Sequence, residues 1–143
     1  MHKFILVALM GILTLTGCKK EKLPIKSIEG LWTVTNLEID QDGDHHGTQL
    51  TEYPDYNVQF NFTYTIAQKL GSFSTLKIID KEGNQKLAVY KFNNDRTAIE
   101  IKDDVNNLKT EYLWIQEWTD NRLQVLKHDK TLNKKVVLDL TKE

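Results

Sequence analysis

Residues 56–68 read YNVQFNFTYTIAQ. Val58, Phe60, Phe62, Tyr64 and Ile66 alternate with Gln59, Asn61, Thr63 and Thr65, nine residues without a slip. A helix would return its apolar side chains about every 3.6 residues, whereas a period of two turns one face of an extended chain to a core and the other to water. The stretch therefore predicts a half-buried strand over 58–66.

The same period recurs on both sides of it. Further strands are expected at 32–39, 75–80, 86–92, 98–102, 109–118, 123–127 and 135–140, separated by the turn-forming runs QDGDHHG, KLGS, KEGN, NNDR, DDVNN and TDNR. A helical reading of DDVNNLKTEYL (103–113) is opposed by Asn106, Asn107 and Thr110, which are poor helix formers. About eight short strands joined by tight turns predict an all-β fold, either a sandwich or an antiparallel up-and-down barrel. The barrel is preferred because closure removes the edges that an open sheet would have to protect.

The N-terminus has a different pattern. Met1, His2 and Lys3 precede FILVALMGILTL (4–15), a run too short to cross a bilayer, which takes ~20 apolar residues, but suited to a secretory signal. The run ends in LTGC (15–18), which resembles the lipobox of bacterial lipoproteins. The resemblance implies cleavage before Cys18, a diacylglyceryl thioether on its sulfur and a further acyl chain such as palmitate on the new amino group. Two or three chains give a stable anchor, at ~0.8 kcal/mol per buried methylene. An ordinary signal peptide with a chance cysteine is the alternative reading. Cys18 is the only cysteine, so no internal disulfide is expected to hold the domain. The organisation expected is a signal peptide at 1–17, a lipidated cysteine and tether at 18–27, and one domain at 28–143.

With 19 Lys and Arg against 20 Asp and Glu, the chain has a net charge of −1, which gives no overall electrostatic reason for nucleic acid to bind. The local cluster Lys19, Lys20 and Lys22 lies beside the anchor and reads as a solvated tether near lipid headgroups.

GLW (30–32), a glycine two positions before a tryptophan at the opening of the first strand, resembles the first lipocalin motif. AVYKFNNDRTAIEIKD (88–103) and WIQEWTDNRLQV (114–125) are similar to the middle and late hairpins of the small lipocalin-like lipoproteins of Bacteroidota. That resemblance, over about residues 28–141, implies that Gly30 and Trp32 plug the closed end of a barrel. It also implies Arg122 as the cation over the Trp32 face, although the last strand has no arginine where the family's third motif would supply one. It implies a location at the outer membrane, and Lys19 and Lys20 do not resemble the acidic run of surface-exported relatives, so the periplasmic face is expected over the cell surface.

No catalytic residue is identified. Ser27, Ser72 and Ser74 are the only serines and none stands in a G-x-S-x-G frame. There is no H-E-x-x-H, C-x-x-C or P-loop. His128 and Asp129 are neighbours on a strand and should face opposite ways. DQDGDHHG (40–47) begins like a calcium loop, but a calcium loop has glycine at its sixth position and glutamate at its twelfth, where this chain has His45 and Thr51. It reads as a solvated loop, and neither a metal nor a cofactor is expected.

Two functions remain in view. In the first, Phe60, Phe62, Tyr64, Tyr90 and Phe92 line a cavity for a small hydrophobic ligand, opening near the 40–47 loop. In the second the barrel is filled and acts as a non-enzymatic envelope interaction module, meeting a protein partner through EYLWIQEW (111–118). There Tyr112, Trp114 and Trp118 alternate with Leu113 and Ile115. If Leu113 and Ile115 face inward, Trp114 is left outside. An eight-stranded barrel has the size at which side chains either fill the interior or leave room for one ligand.

Overall fold

The computed structural model describes residues 23–41, 44–48, 50–66 and 71–143, with backbone only at 40, 41 and 44–48. The signal peptide and Cys18 lie outside the described residues, as do the side chains of the 40–47 loop.

Among the described residues, nine antiparallel strands form one sheet: β1 (Gly30–Gln41), β2 (Asp44–Thr48), β3 (Gln59–Phe62), β4 (Ser74–Ile79), β5 (Gln85–Phe92), β6 (Ala98–Lys102), β7 (Glu111–Trp118), β8 (Arg122–Asp129) and β9 (Lys134–Lys142). Strand β9 returns to pair with β1, so β1 and β3 to β9 close an eight-stranded barrel. The second edge of β1 is shared: its first residues pair with β3, and Leu37–Gln41 pair with β2. Part of the expected 40–47 loop is thus the second arm of a hairpin. Asp42 and Gly43, the residues between its arms, are a dipeptide favoured in tight hairpins.

Strand β3 is shorter than the alternation predicts, ending at Phe62 rather than Ile66. Phe62 pairs with Gly30, the first residue of β1, and beyond that point β1 offers no partner. At Gly30 the backbone has φ of 127°, which L residues rarely adopt, and the chain turns beneath the barrel. Alternating side chains define two faces, but a strand also needs a neighbour along its edge.

Two β-bulges re-aim the side chains. On β1, Val34 faces Leu140 and Asn36 faces Asp139, so Thr35 is extra and the inward set changes from Trp32 and Val34 to Leu37 and Ile39. On β7, Ile115 faces Val125 and Glu117 faces Gln124, so Gln116 is extra and Trp118 joins the inner face. This corrects the expectation that Trp118 shares a face with Tyr112 and Trp114. Trp118 packs against the core and stacks on Phe92, ring centroids 5.3 Å apart.

Beneath the barrel, Pro24 leads into a 3-10 turn, Ile25–Ile28, whose Ile28 is fully buried under Trp32. Trp32 Nε1 donates to the Ile28 carbonyl at 2.8 Å, so its one polar atom is satisfied within the core. The cation over the indole is Lys142, with Nζ 5.6 Å from the ring and donating to the Ser27 carbonyl at 3.1 Å. Arg122 does not take that place. Leu123 and Val125 face the core, so alternation along β8 turns Arg122 outward, where it pairs with Asp139 at 3.3 Å and Glu117 at 3.6 Å.

Candidate functional site at the barrel mouth

The five aromatic residues expected to line a ligand cavity are placed mainly in the closed half. Phe60 and Phe62 stack with centroids 6.1 Å apart, and Phe62 meets Tyr90 edge to face at 4.9 Å. Tyr90 Oη donates to the Thr63 carbonyl at 3.0 Å. Phe92 is engaged by Trp118, and the half-buried Tyr64 has its hydroxyl out of contact with water. A side chain that lines an empty cavity keeps surface that a water-sized sphere can touch. Tyr90 at 0% and Phe62 at 1% keep almost none, so they fill the space between them.

Among the described residues, space is found at the opposite end. A cleft of about 450 Å³ lies between the 103–110 loop, the start of β7 and the end of β8. None of the five aromatic residues lines it. Its inner wall includes Ile101, Glu111, Lys127 and Asp129, and its outer wall includes Tyr112 and Trp114.

The inner wall is built from segments far apart in sequence. Pro54 opens a short 3-10 turn, Pro54–Tyr56, which is held by Tyr56 N–H donating to the Tyr53 carbonyl at 3.0 Å. The turn carries the Tyr56 ring into the core while its hydroxyl donates to the Asp129 carboxylate. Asp129 also accepts from the Leu132 backbone at 2.9 Å, at the β8–β9 turn. Lys127, two residues earlier and on the same face, reaches Glu111 across the strand pair and lies 5.4 Å from the Tyr56 ring centroid.

These contacts fix protonation. Burial opposes charge on Asp129, but the hydrogen bonds from Tyr56 and the backbone, with Lys127 nearby, outweigh it and hold the carboxyl below its usual range. Burial first, and then the hydrogen bond to Asp129 and its charge, push the Tyr56 phenol far above its ordinary range. At neutral pH a neutral Tyr56 phenol therefore donates to the carboxylate of Asp129, which lines the cleft. His128, the next residue back along β8, is exposed while Asp129 is half-buried, as strand alternation leads one to expect, and both residues line the cleft.

The outer wall is an aromatic ledge. Leu113 is buried and Ile115 half-buried, which leaves Tyr112 and Trp114 outside, 39% and 44% exposed. Their rings lie nearly parallel with centroids 5.6 Å apart. Leu108, at 97% exposure, stands in the adjoining loop. The site thus combines a flat apolar surface with charges of both signs, an arrangement that binds by stacking and by ion pairing.

Sequence reasoning found the ledge and missed the network. Glu111 and Lys127 carry no motif of their own, Asp129 stands out only as the neighbour of His128, and Tyr56 only as the residue that opens YNVQFNFTYTIAQ. The one available signal was an aromatic residue set among turn formers in EYPDYN (52–57). Lys142 over Trp32 departs from the resemblance, which implies an arginine in that place.

No protein-family model matches the chain, and no curated protein matches it.

Proposed function

We propose that the chain is a non-enzymatic binding module of the bacterial cell envelope, anchored to the outer membrane through lipid on Cys18 and facing the periplasm. Its affinity with the lipocalin-like lipoproteins of Bacteroidota rests on LTGC and GLW, and the closed antiparallel barrel is the architecture that affinity implies. The ligand is a small amphipathic molecule held at the mouth, with its apolar part on Tyr112 and Trp114 and its polar part among Lys127, Glu111 and Asp129. One observation carries this reading: the exposed, parallel Tyr112–Trp114 pair borders a cleft of about 450 Å³. That volume exceeds the ~300 Å³ floor typical of ligand sites. A second reading, an envelope protein docking on the ledge, is favoured by Leu108, which extends the apolar surface beyond the cleft.

Native mass spectrometry of protein extracted from bacterial membranes tests the proposal. A co-purified small molecule should persist in Phe62→Trp, which alters only the filled half, and should be lost in Trp114→Ala. Loss in Phe62→Trp with retention in Trp114→Ala would return the ligand to the interior. If nothing co-purifies and photocrosslinking from Tyr112 captures an envelope protein, the second reading replaces the first.

A further inference from the structure

We infer that the closed end of the barrel lies against the lipid surface and that the mouth cleft faces away from it. The inference rests on the Cys18 anchor proposed above and adds an orientation that the anchor alone does not give.

Where the tether joins the barrel decides the matter. Arg96, in the β5–β6 turn, donates from Nη1 to the Leu23 carbonyl at 3.4 Å. From there the chain runs through the 3-10 turn to Ile28, where Lys142 Nζ holds the Ser27 carbonyl and Trp32 Nε1 holds the Ile28 carbonyl. Residues 23–28 thus form a strap across the closed end, fixed at the β5–β6 turn and under Trp32. Leu23 lies five residues after Cys18, and five residue steps span at most ~18 Å when fully extended. Strand β1 has twelve residues between the strap and the mouth, about 36 Å along the strand at 3.3 Å per residue. A strand tilt of ~40° still leaves ~28 Å along the barrel axis. The tether is too short to bring the mouth rim to the lipid.

The closed end carries charges of both signs, Lys26 and Arg96 beside the exposed Glu29, Asp95 and Asp120, together with the exposed Ile66. In the tether Lys19, Lys20 and Lys22 outnumber Glu21 beside the anchor. The cleft and the Tyr112–Trp114 ledge then open toward the aqueous side, so their ligand or partner arrives from the periplasm and not by lateral diffusion in the bilayer.

The lipidated protein in vesicles supplies the test. Once Cys18 is a thioether, an added cysteine is the only free thiol. A fluorophore is placed on Asn94→Cys, in the exposed turn at the closed end, or on Glu82→Cys, in the exposed turn at the mouth, and nitroxide-headgroup lipid is the quencher. The Asn94 label should be quenched several-fold more than the Glu82 label. Inserting twenty Gly and Ser residues after Lys22, with an r.m.s. span of ~25 Å, should bring the ratio toward one. Equal quenching with the native tether, or stronger quenching at Glu82, overturns the orientation while the anchor stands. Protein that fails to float with the vesicles overturns the anchor, and the orientation with it.

Discussion

At the closed end of the barrel Trp32, Phe62 and Tyr90 are buried in one core cluster, whereas at the mouth Glu111, Lys127 and Asp129 line a cleft of about 450 Å³ and Tyr56 donates to Asp129. The same strands build both ends. What changes is the residue type that alternation delivers to the inside. Aromatic and branched side chains interdigitate to the density of a crystal. Charged groups resist full burial, because an ion removed from water must recover its solvation from partners, so the mouth stays partly wet and organised by hydrogen bonds. One end is closed by packing and the other is organised by hydrogen bonds and ion pairs.

If that division is right, substitutions at the closed end should act on folding. The largest effect is expected for Trp32→Ala, which removes a fully buried indole and its hydrogen bond to Ile28 and should cost ~3–5 kcal/mol in urea unfolding. A change below about 1 kcal/mol would mean that the plug is dispensable.

Tyr56→Phe probes the mouth and should cost about 1.5–3 kcal/mol at pH 7, the worth of a hydrogen bond to a charged group. Its pH dependence has a definite sign. The folded pKa of Asp129 is depressed, so its contribution is present above the unfolded value of ~4 and fades as pH falls through the folded one. The Tyr56 pKa is raised, so its contribution is present below ~10 and is lost only as pH rises toward the folded value. In Tyr56→Phe the acid limb of the stability profile should flatten and the alkaline limb attributable to this residue should vanish. An unchanged acid limb would remove the Tyr56–Asp129 bond from the account.

A smaller effect is expected at Gly30, where an added Cβ would meet Lys142 Cε at 2.9 Å on a backbone with φ of 127°. Gly30→Ala should cost ~1–3 kcal/mol, and Lys142→Ala in the same chain should recover only the steric part. Complete recovery would show that the backbone there is unstrained. The smallest stability effect belongs to Trp114→Ala, within about 0.5 kcal/mol of the parent, since the ring is half out of the protein. Substantial destabilisation would make the ledge part of the core and sharply weaken its assignment as a binding surface.

Strand positions were readable to within a residue or two at several places. The expected 98–102 coincides with β6, 86–92 with β5 less one residue, and 135–140 lies inside β9. Alternation is a local property, and each of these strands has partners along its length. Non-local features were not readable. The bulges at Thr35 and Gln116 arise from pairing with strands distant in sequence, and β3 ends where β1 turns away. The mouth network joins residues 56, 111, 127 and 129, each unremarkable on its own strand or turn. The aromatic residues were correctly read as largely inward-facing, but inward position says nothing about whether neighbouring rings meet or leave a gap.

Xenon pressurisation of crystals addresses that gap most directly, because the gas occupies apolar voids and ignores filled ones. A filled closed half, with ligand space at the mouth, admits no xenon among Trp32, Phe60, Phe62 and Tyr90. A xenon atom seated among those rings would reveal an apolar cavity inside the barrel and contradict that division.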